Sequence, residues 1–285
     1  MTIRRILIPS TTEHDCDQRL AIGLELSRRL EAHIQLLFVR DDPDRIFRDL
    51  PDLIRATGVT VKQIETDGKQ AAERNRTSFE RVCDKAGIRS DGKFEDLHAT
   101  FGDWIERVGD IEPVVALAGR VSDLIIVNRP ASTEMGSERI FDAAVFSTGR
   151  PTLVVSRKIP DSVLRHVVIA WNGSLEAARL IGHSLDLLHA ADRVSIITAA
   201  IGRSAETVPA DLTTYLMWHG IRAHELTATS ASSNVPEAIL ACATRVEATM
   251  LVMGAYTHSR IRQFLFGGVT HHVLNHSEIP LLMEH

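Results

Sequence analysis

Short apolar runs recur along this chain, separated by longer stretches in which small and apolar residues return every three or four positions. The runs rich in Ile, Leu and Val predict strands at 3–9, 33–39, 94–98, 123–127 and 151–155 in the first half. In the second half they predict strands at 166–171, 193–198, 222–226, 249–253 and 279–283. Runs that are apolar at nearly every position belong to strands buried on both faces, as in a parallel sheet covered by helices, so the pattern reads as α/β.

The two halves repeat one another. Between the first two strands of each lies a helical pattern, with Leu20, Leu24, Ser27 and Leu30 on one face in the first half. Ala177, Ile181, Ser184 and Leu188 take the same spacing in the second. DLIIVN matches TMLVMG, and RPTLVV matches IPLLME, so each half closes its sheet in the same way. The chain therefore reads as two tandem domains, 1–157 and 163–285, each an open five-stranded parallel sheet flanked by helices, with 157–164 as the linker. The first half is longer, and its surplus at 41–66, with Pro43, Pro51 and Gly58, predicts an inserted helix and loops.

Composition narrows the function. A chain of 285 residues is long for one compact domain and suited to two. A formal net charge of −5 disfavours nucleic-acid binding, which needs a basic face to displace counterions. MTIRRILIPS lacks the apolar core of a signal peptide, and no stretch is long and apolar enough to span a membrane. Cys16, Cys83 and Cys242 are scattered and form no CxxC pair, the pattern of reduced thiols in a cytoplasmic protein.

Open parallel sheets bind ligands beyond the carboxyl ends of their strands. Two such places stand out in the second half. WNGSLEAARL follows its first strand, where Trp171 ends the strand, Asn172 and Gly173 make a turn, and Ser174 caps a helix. After the fourth strand comes VMGAYTHSRIRQFLFGGVT, with Met253 and Gly254 leaving the strand and Gly267, Gly268, Val269 and Thr270 opening the final helix. Glycines at a helix start expose N–H groups to an anion at the positive end of the helix dipole.

This second segment resembles the signature of the universal stress protein family, Gly-x-x-Gly, nine residues, then Gly-Ser or Gly-Thr. Gly254 and Gly267 fall on its first and last glycines. WNGSLEAARL is likewise similar to the family's Val-Asp-Gly-Ser strand end, with Asn172 in the place of the aspartate that contacts adenine. The resemblance implies an adenine nucleotide alpha hydrolase-like fold in each half. It also implies that the second domain binds ATP or a related adenine nucleotide, with Mg2+ as its accompanying ion, around Trp171 to Ser174, Met253, Gly254, Thr257 and Gly267 to Thr270. Two departures stand in the motif: Thr257 replaces the second glycine, and Gly268 replaces the hydroxyl residue.

The first half departs further. Glu138 and Arg139 correspond to Gly267 and Gly268, Asn128 replaces the leading glycine, Thr11 replaces the adenine aspartate, and the loop is shorter by three residues. That half is expected not to bind ATP in the family manner. Its implied part is structural, as the pseudo-twofold partner of the second domain in one chain, and a homodimer of the whole chain is compatible with this.

Other side chains offer weaker candidates for chemistry. His272 and His276 have i, i+4 metal-ligand spacing without a third ligand, so a solvated helix face is the expectation. His14 beside Asp15, and His258, have no nucleophile to serve. Arg260 and Arg262 flank the motif and suit an anion. Trp171 suits either an adenine ring or the sheet edge, while Met217 and Trp218 are expected in the core. The resulting reading is a nucleotide-binding stress-response module. Two alternatives stay open: a slow ATPase or autophosphorylating enzyme using Thr270 or Ser259, and a nucleotide-free scaffold with another ligand in the first half.

Overall fold

The computed structural model describes residues 2–11, 17–90, 100–130, 135–156, 158, 160–199, 209–228, 234–255 and 268–285. Packing divides the chain into two units, Arg4–Thr148 and Gly149–His285, the latter joined by Met1–Ile3. Ile3 N–H donates to the Asp186 carboxylate at 2.8 Å within that second unit.

In the first unit, β1 (Arg5–Ser10), α1 (Asp17–Leu30) and β2 (His33–Arg40) are followed by α2 (Pro43–Asp49), α3 (Asp52–Arg55) and α4 (Val61–Ala86). Then come β3 (Gly102–Val108), α5 (Ile111–Arg120), β4 (Leu124–Val127) and α6 (Met135–Ser147). The strands are parallel and ordered β3-β2-β1-β4. Ile6, Leu7 and Ile8 are fully buried whichever way they point, as expected of a sheet covered on both faces. Leu20, Leu24 and Ser27 of α1 are buried as their spacing predicted. The 41–66 surplus forms α2, α3 and the start of α4. Asp42 caps the first, accepting from Asp44 N–H at 3.0 Å, and Thr60 caps the last, accepting from Gln63 N–H at 3.2 Å. The strand expected at 94–98 lies outside the described residues. The unit's third strand is β3, whose outer residues alternate with charges and so carry a weaker apolar signal.

The second unit contains β5 (Thr152–Val154), β6 (Val167–Ala170), α7 (Leu175–His183), α8 (Leu185–Ala190), β7 (Val194–Ala199) and α9 (Pro209–Trp218). It continues with β8 (Ala223–Ala228), α10 (Val235–Arg245), β9 (Met250–Gly254), α11 (Val269–His276) and β10 (Leu281–Glu284). Its order is β5-β10-β9-β6-β7-β8. The five strands from β10 to β8 are parallel, and β5, the last strand of the first repeat, pairs antiparallel with β10 through Leu281↔Val154 and Met283↔Thr152. In both repeats the first strand lies between the second and the fourth, so the duplication seen in sequence is a duplication of topology.

Val163 and Leu164, where the expected linker meets the second domain, are wholly buried, and the Val163 carbonyl accepts from the Thr249 hydroxyl at 3.1 Å. One expectation needs correction. Met217 and Trp218, read as core, are 63% and 83% exposed. α9 buries Leu212 and Leu216 on its inner face, and one further position along a helix turns a side chain by about 100°, out to solvent.

Candidate functional site

The strand order of the second unit reverses at β6, which has β7 on one side and β9 on the other. Connections therefore leave β6 and β9 in opposite directions and open a crevice beyond their carboxyl ends. Ala170 and Met253 are in register across that pair, so Trp171 and Gly254 leave the sheet side by side. Of the residues singled out in the sequence, Trp171, Asn172, Gly173, Ser174, Met253 and Gly254 are gathered here.

Local chemistry shapes the first strand end. The Asn172 amide oxygen accepts from Ser174 N–H at 3.1 Å, closing an Asx turn. Gly173 supplies the left-handed step, φ 70°, that a β-carbon would disfavour. Ser174 then caps α7, its hydroxyl accepting from Ala177 N–H at 3.2 Å. Asn172 and Gly173 are exposed and Trp171 is half-buried, so the turn faces the open side of the crevice.

Gly254 answers to a packing demand that sequence reading missed. A β-carbon on it would lie 2.6 Å from the Ala177 nitrogen and 3.2 Å from the Glu176 carbonyl carbon. The first turn of α7 thus rests directly on the end of β9, and only glycine permits the approach. Ala255 N–H next donates to the Glu284 carbonyl at 2.9 Å, tying the same strand end to β10.

α11 joins β9 to the parallel β10, so its N-terminus opens on the carboxyl side of the sheet. Gly268 occupies the cap position at φ −84°, ψ 163°, with no side-chain cap, and a β-carbon there would meet nothing within 4 Å among the described residues. Val269 is half-buried, and Thr270 is buried with interactions of its own. Thr257, His258, Ser259, Arg260, Arg262 and Gly267 lie outside the described residues, as do His14 and Asp15.

One charged pair beside the crevice was not foreseen. Glu284, in register with Gly254, is 2% exposed, and its carboxylate oxygens lie 2.8 and 3.0 Å from His183 Nδ1. Burial pushes its carboxyl above the usual range, and it outweighs the opposite pull of the His183 hydrogen bond and charge and of Arg179 and Arg150. His272 and His276 stack with ring centroids 4.1 Å apart, and His276 Nδ1 lies 2.8 Å from the His272 carbonyl. No group of three or more metal-ligating side chains occurs among the described residues.

The first unit builds the corresponding place differently. Leu7 and Ile125 are in register, so Thr11 and Asn128 follow at neighbouring strand ends; Thr11 is buried. Arg19, 1% exposed, donates to the Pro9 carbonyl and lies 3.4 Å from the Ser10 hydroxyl, placing a guanidinium within the strand end. Glu138 is exposed in the first turn of α6, while Arg139 pairs with Asp110 and, at 3.2 Å, with Glu112. Arg45 reaches Asp110 at 2.8 Å. Charged side chains of the protein itself thus satisfy one another at this edge.

Residues 218–285 match the family model described as the universal stress protein family. Among solved structures, a universal stress protein from Archaeoglobus fulgidus DSM 4304 is similar with a TM-score of 0.74 at 17% identity, over 98% of this chain and 95% of its own. A protein assigned to the universal stress proteins, from Pseudomonas aeruginosa UCBPP-PA14, has a TM-score of 0.56 at 16% identity, over 99% and 93%. A functionally unknown protein from Pseudomonas aeruginosa PAO1 gives 0.55 at 15%, over 99% and 92%. At these identities the likeness is one of fold. No curated protein matches the chain in sequence.

Proposed function

We propose that this chain, whose residues 218–285 match the universal stress protein family model, is a regulatory module of that kind that binds ATP or a related adenine nucleotide through its second repeat. The observation that carries the reading is the pairing of a strand-order reversal with a helix start free of side chains. The crevice between β6 and β9 offers the Asn172 amide and the half-buried Trp171 ring to a base. Gly268 leaves the front of α11 bare for phosphates, where N–H groups and the helix dipole favour negative charge.

Asn172 has one amide oxygen committed to the Asx turn, which leaves its NH2 group to donate to an adenine ring nitrogen. The first unit contributes no equivalent site in this reading, because Arg19, held by the Pro9 carbonyl and Ser10 hydroxyl, and Arg139, paired with Asp110 and Glu112, occupy the corresponding strand ends. Binding, rather than turnover, is the proposed activity. Among the described residues no group of three or more metal-ligating side chains occurs, so any Mg2+ would have to be held largely by the nucleotide phosphates and water.

Titration calorimetry of the full chain with ATP and AMP, with and without Mg2+, tests the proposal, and phosphate release in the same samples tests turnover. Gly268→Asp is the informative variant. Its side chain meets none of the described residues and caps α11 favourably, so the fold is kept or slightly strengthened, while its charge repels phosphates. The expected result is one nucleotide per chain for the native protein and at least a tenfold loss of affinity in the variant. Undiminished binding by a folded Gly268→Asp protein overturns the assignment.

A further inference from the structure

At the amino ends of the strands, on the edge of the second unit away from the crevice, a cleft of about 250 Å3 opens where β7 and β8 begin. Arg193 directly precedes β7 and Arg222 directly precedes β8. The parallel register Val194↔Ala223 makes them neighbours across the ladder, on strands about 4.8 Å apart. His189, in the last turn of α8, and Asp192 also line the cleft. Gly220, at φ 75°, keeps the facing wall free of a side chain, and a β-carbon there would come within 3.7 Å of His189 Nε2.

Two guanidinium groups side by side on adjacent strands repel each other. Among the described residues no ion pair or side-chain hydrogen bond holds either Arg193 or Arg222, whereas Asp192 has interactions of its own. The field of Arg193 extends inward. Burial is the main cause that lowers the proton affinity of the His166 imidazole, and the charges of Arg193 and His224 add to it against the Val246 carbonyl.

We propose that this cleft binds a phosphate-type oxyanion, gripped by Arg193 and Arg222 with His189 as a third donor. Guanidinium forks match the geometry of phosphate oxygens, and a bound dianion converts the repulsion between the two arginines into attraction to a shared partner. The volume suits a phosphate with a small organic tail. The site is independent of the nucleotide reading and stands at the opposite, amino end of the sheet, on β7 and β8.

Thermal melts and calorimetry of the full chain with inorganic phosphate and with glycerol phosphate, at ionic strength held constant with chloride, provide the test. Saturable stabilisation is expected for the native protein and for Gly268→Asp, and at least a tenfold weaker affinity for Arg193→Ala and Arg222→Ala. Without phosphate, Arg222→Ala should melt no lower than the native chain, because it relieves the repulsion. Tighter binding of the ester identifies a phosphorylated small molecule as the source, and equal binding identifies free phosphate. Equal affinity in the arginine variants, loss of the effect in Gly268→Asp, or the same stabilisation by chloride alone overturns the proposal.

Discussion

Gly254 lies against the main chain of Ala177, so closely that a β-carbon on it would sit 2.6 Å from the Ala177 nitrogen. The contacting atoms belong to a helix backbone, which cannot step aside as a flexible side chain can. Gly254→Ala is expected to cost about 1–3 kcal/mol. Gly182, inside α7, is the control: a β-carbon there meets none of the described residues within 4 Å, and Gly182→Ala should stabilise by about 0.5–1 kcal/mol. Denaturant unfolding of both variants checks the contrast, and equal effects would remove the packing argument.

Ser174 holds the first turn of α7 through its bond to Ala177 N–H. Removing that cap in Ser174→Ala should cost about 1 kcal/mol, whereas Ser174→Asp should retain the cap and its stability. Urea midpoints of the two variants distinguish a capping role from general sensitivity of the turn.

For Glu284, burial raises the folded-state proton affinity above that of the unfolded chain. Its contribution to stability is therefore fully present below the ordinary carboxyl value of about 4.3 and is lost as pH rises through the higher folded value. Glu284→Gln mimics the protonated form, so it should gain stability relative to the native protein between about pH 4 and pH 7. Unfolding midpoints across that range give the sign; a relative loss would mean that the His183 pairing outweighs burial.

His166 has the opposite sign. Its Nδ1 lies 2.9 Å from the Val246 carbonyl and its Nε2 2.9 Å from the Ser195 hydroxyl, which suits a neutral ring donating to the carbonyl and accepting from the serine. Because burial lowers its folded-state pKa, its contribution is complete above about pH 6.5 and is lost as pH falls through the folded value. NMR of the His166 ring should show titration below pH 6.5. A midpoint at or above the ordinary value contradicts the buried neutral assignment.

Trp218 is expected to be the indole most open to an aqueous quencher, since Trp104 and Trp171 are both half-buried. Trp218→Gln should change stability by less than about 0.5 kcal/mol. Fluorescence quenching of the native and variant proteins checks both statements; quenching that persists undiminished in the variant would assign exposure to another tryptophan.

Strand positions and the internal repeat were legible in the sequence because burial on both faces demands uninterrupted apolar runs such as LIIV and LLM, and few other structures do. The turn at Asn172, Gly173 and Ser174 was legible for a related reason, since Asx turns, left-handed glycines and serine caps are satisfied within a few residues. Less could be read at 94–108, where charged residues interrupt the apolar run, and at Met217 and Trp218, where side-chain type suggested burial and helix phase decided against it.

By itself, then, the chain determined where strands and helices begin, and that one half echoes the other, because those features depend on short-range periodicity and local hydrogen bonding. Tertiary structure alone decided that β5 runs against β10, that Glu284 is buried beside His183, and that Arg193 stands next to Arg222. Each of these joins residues distant in sequence through strand order and register, and no local pattern in the chain specifies which distant backbone will lie alongside.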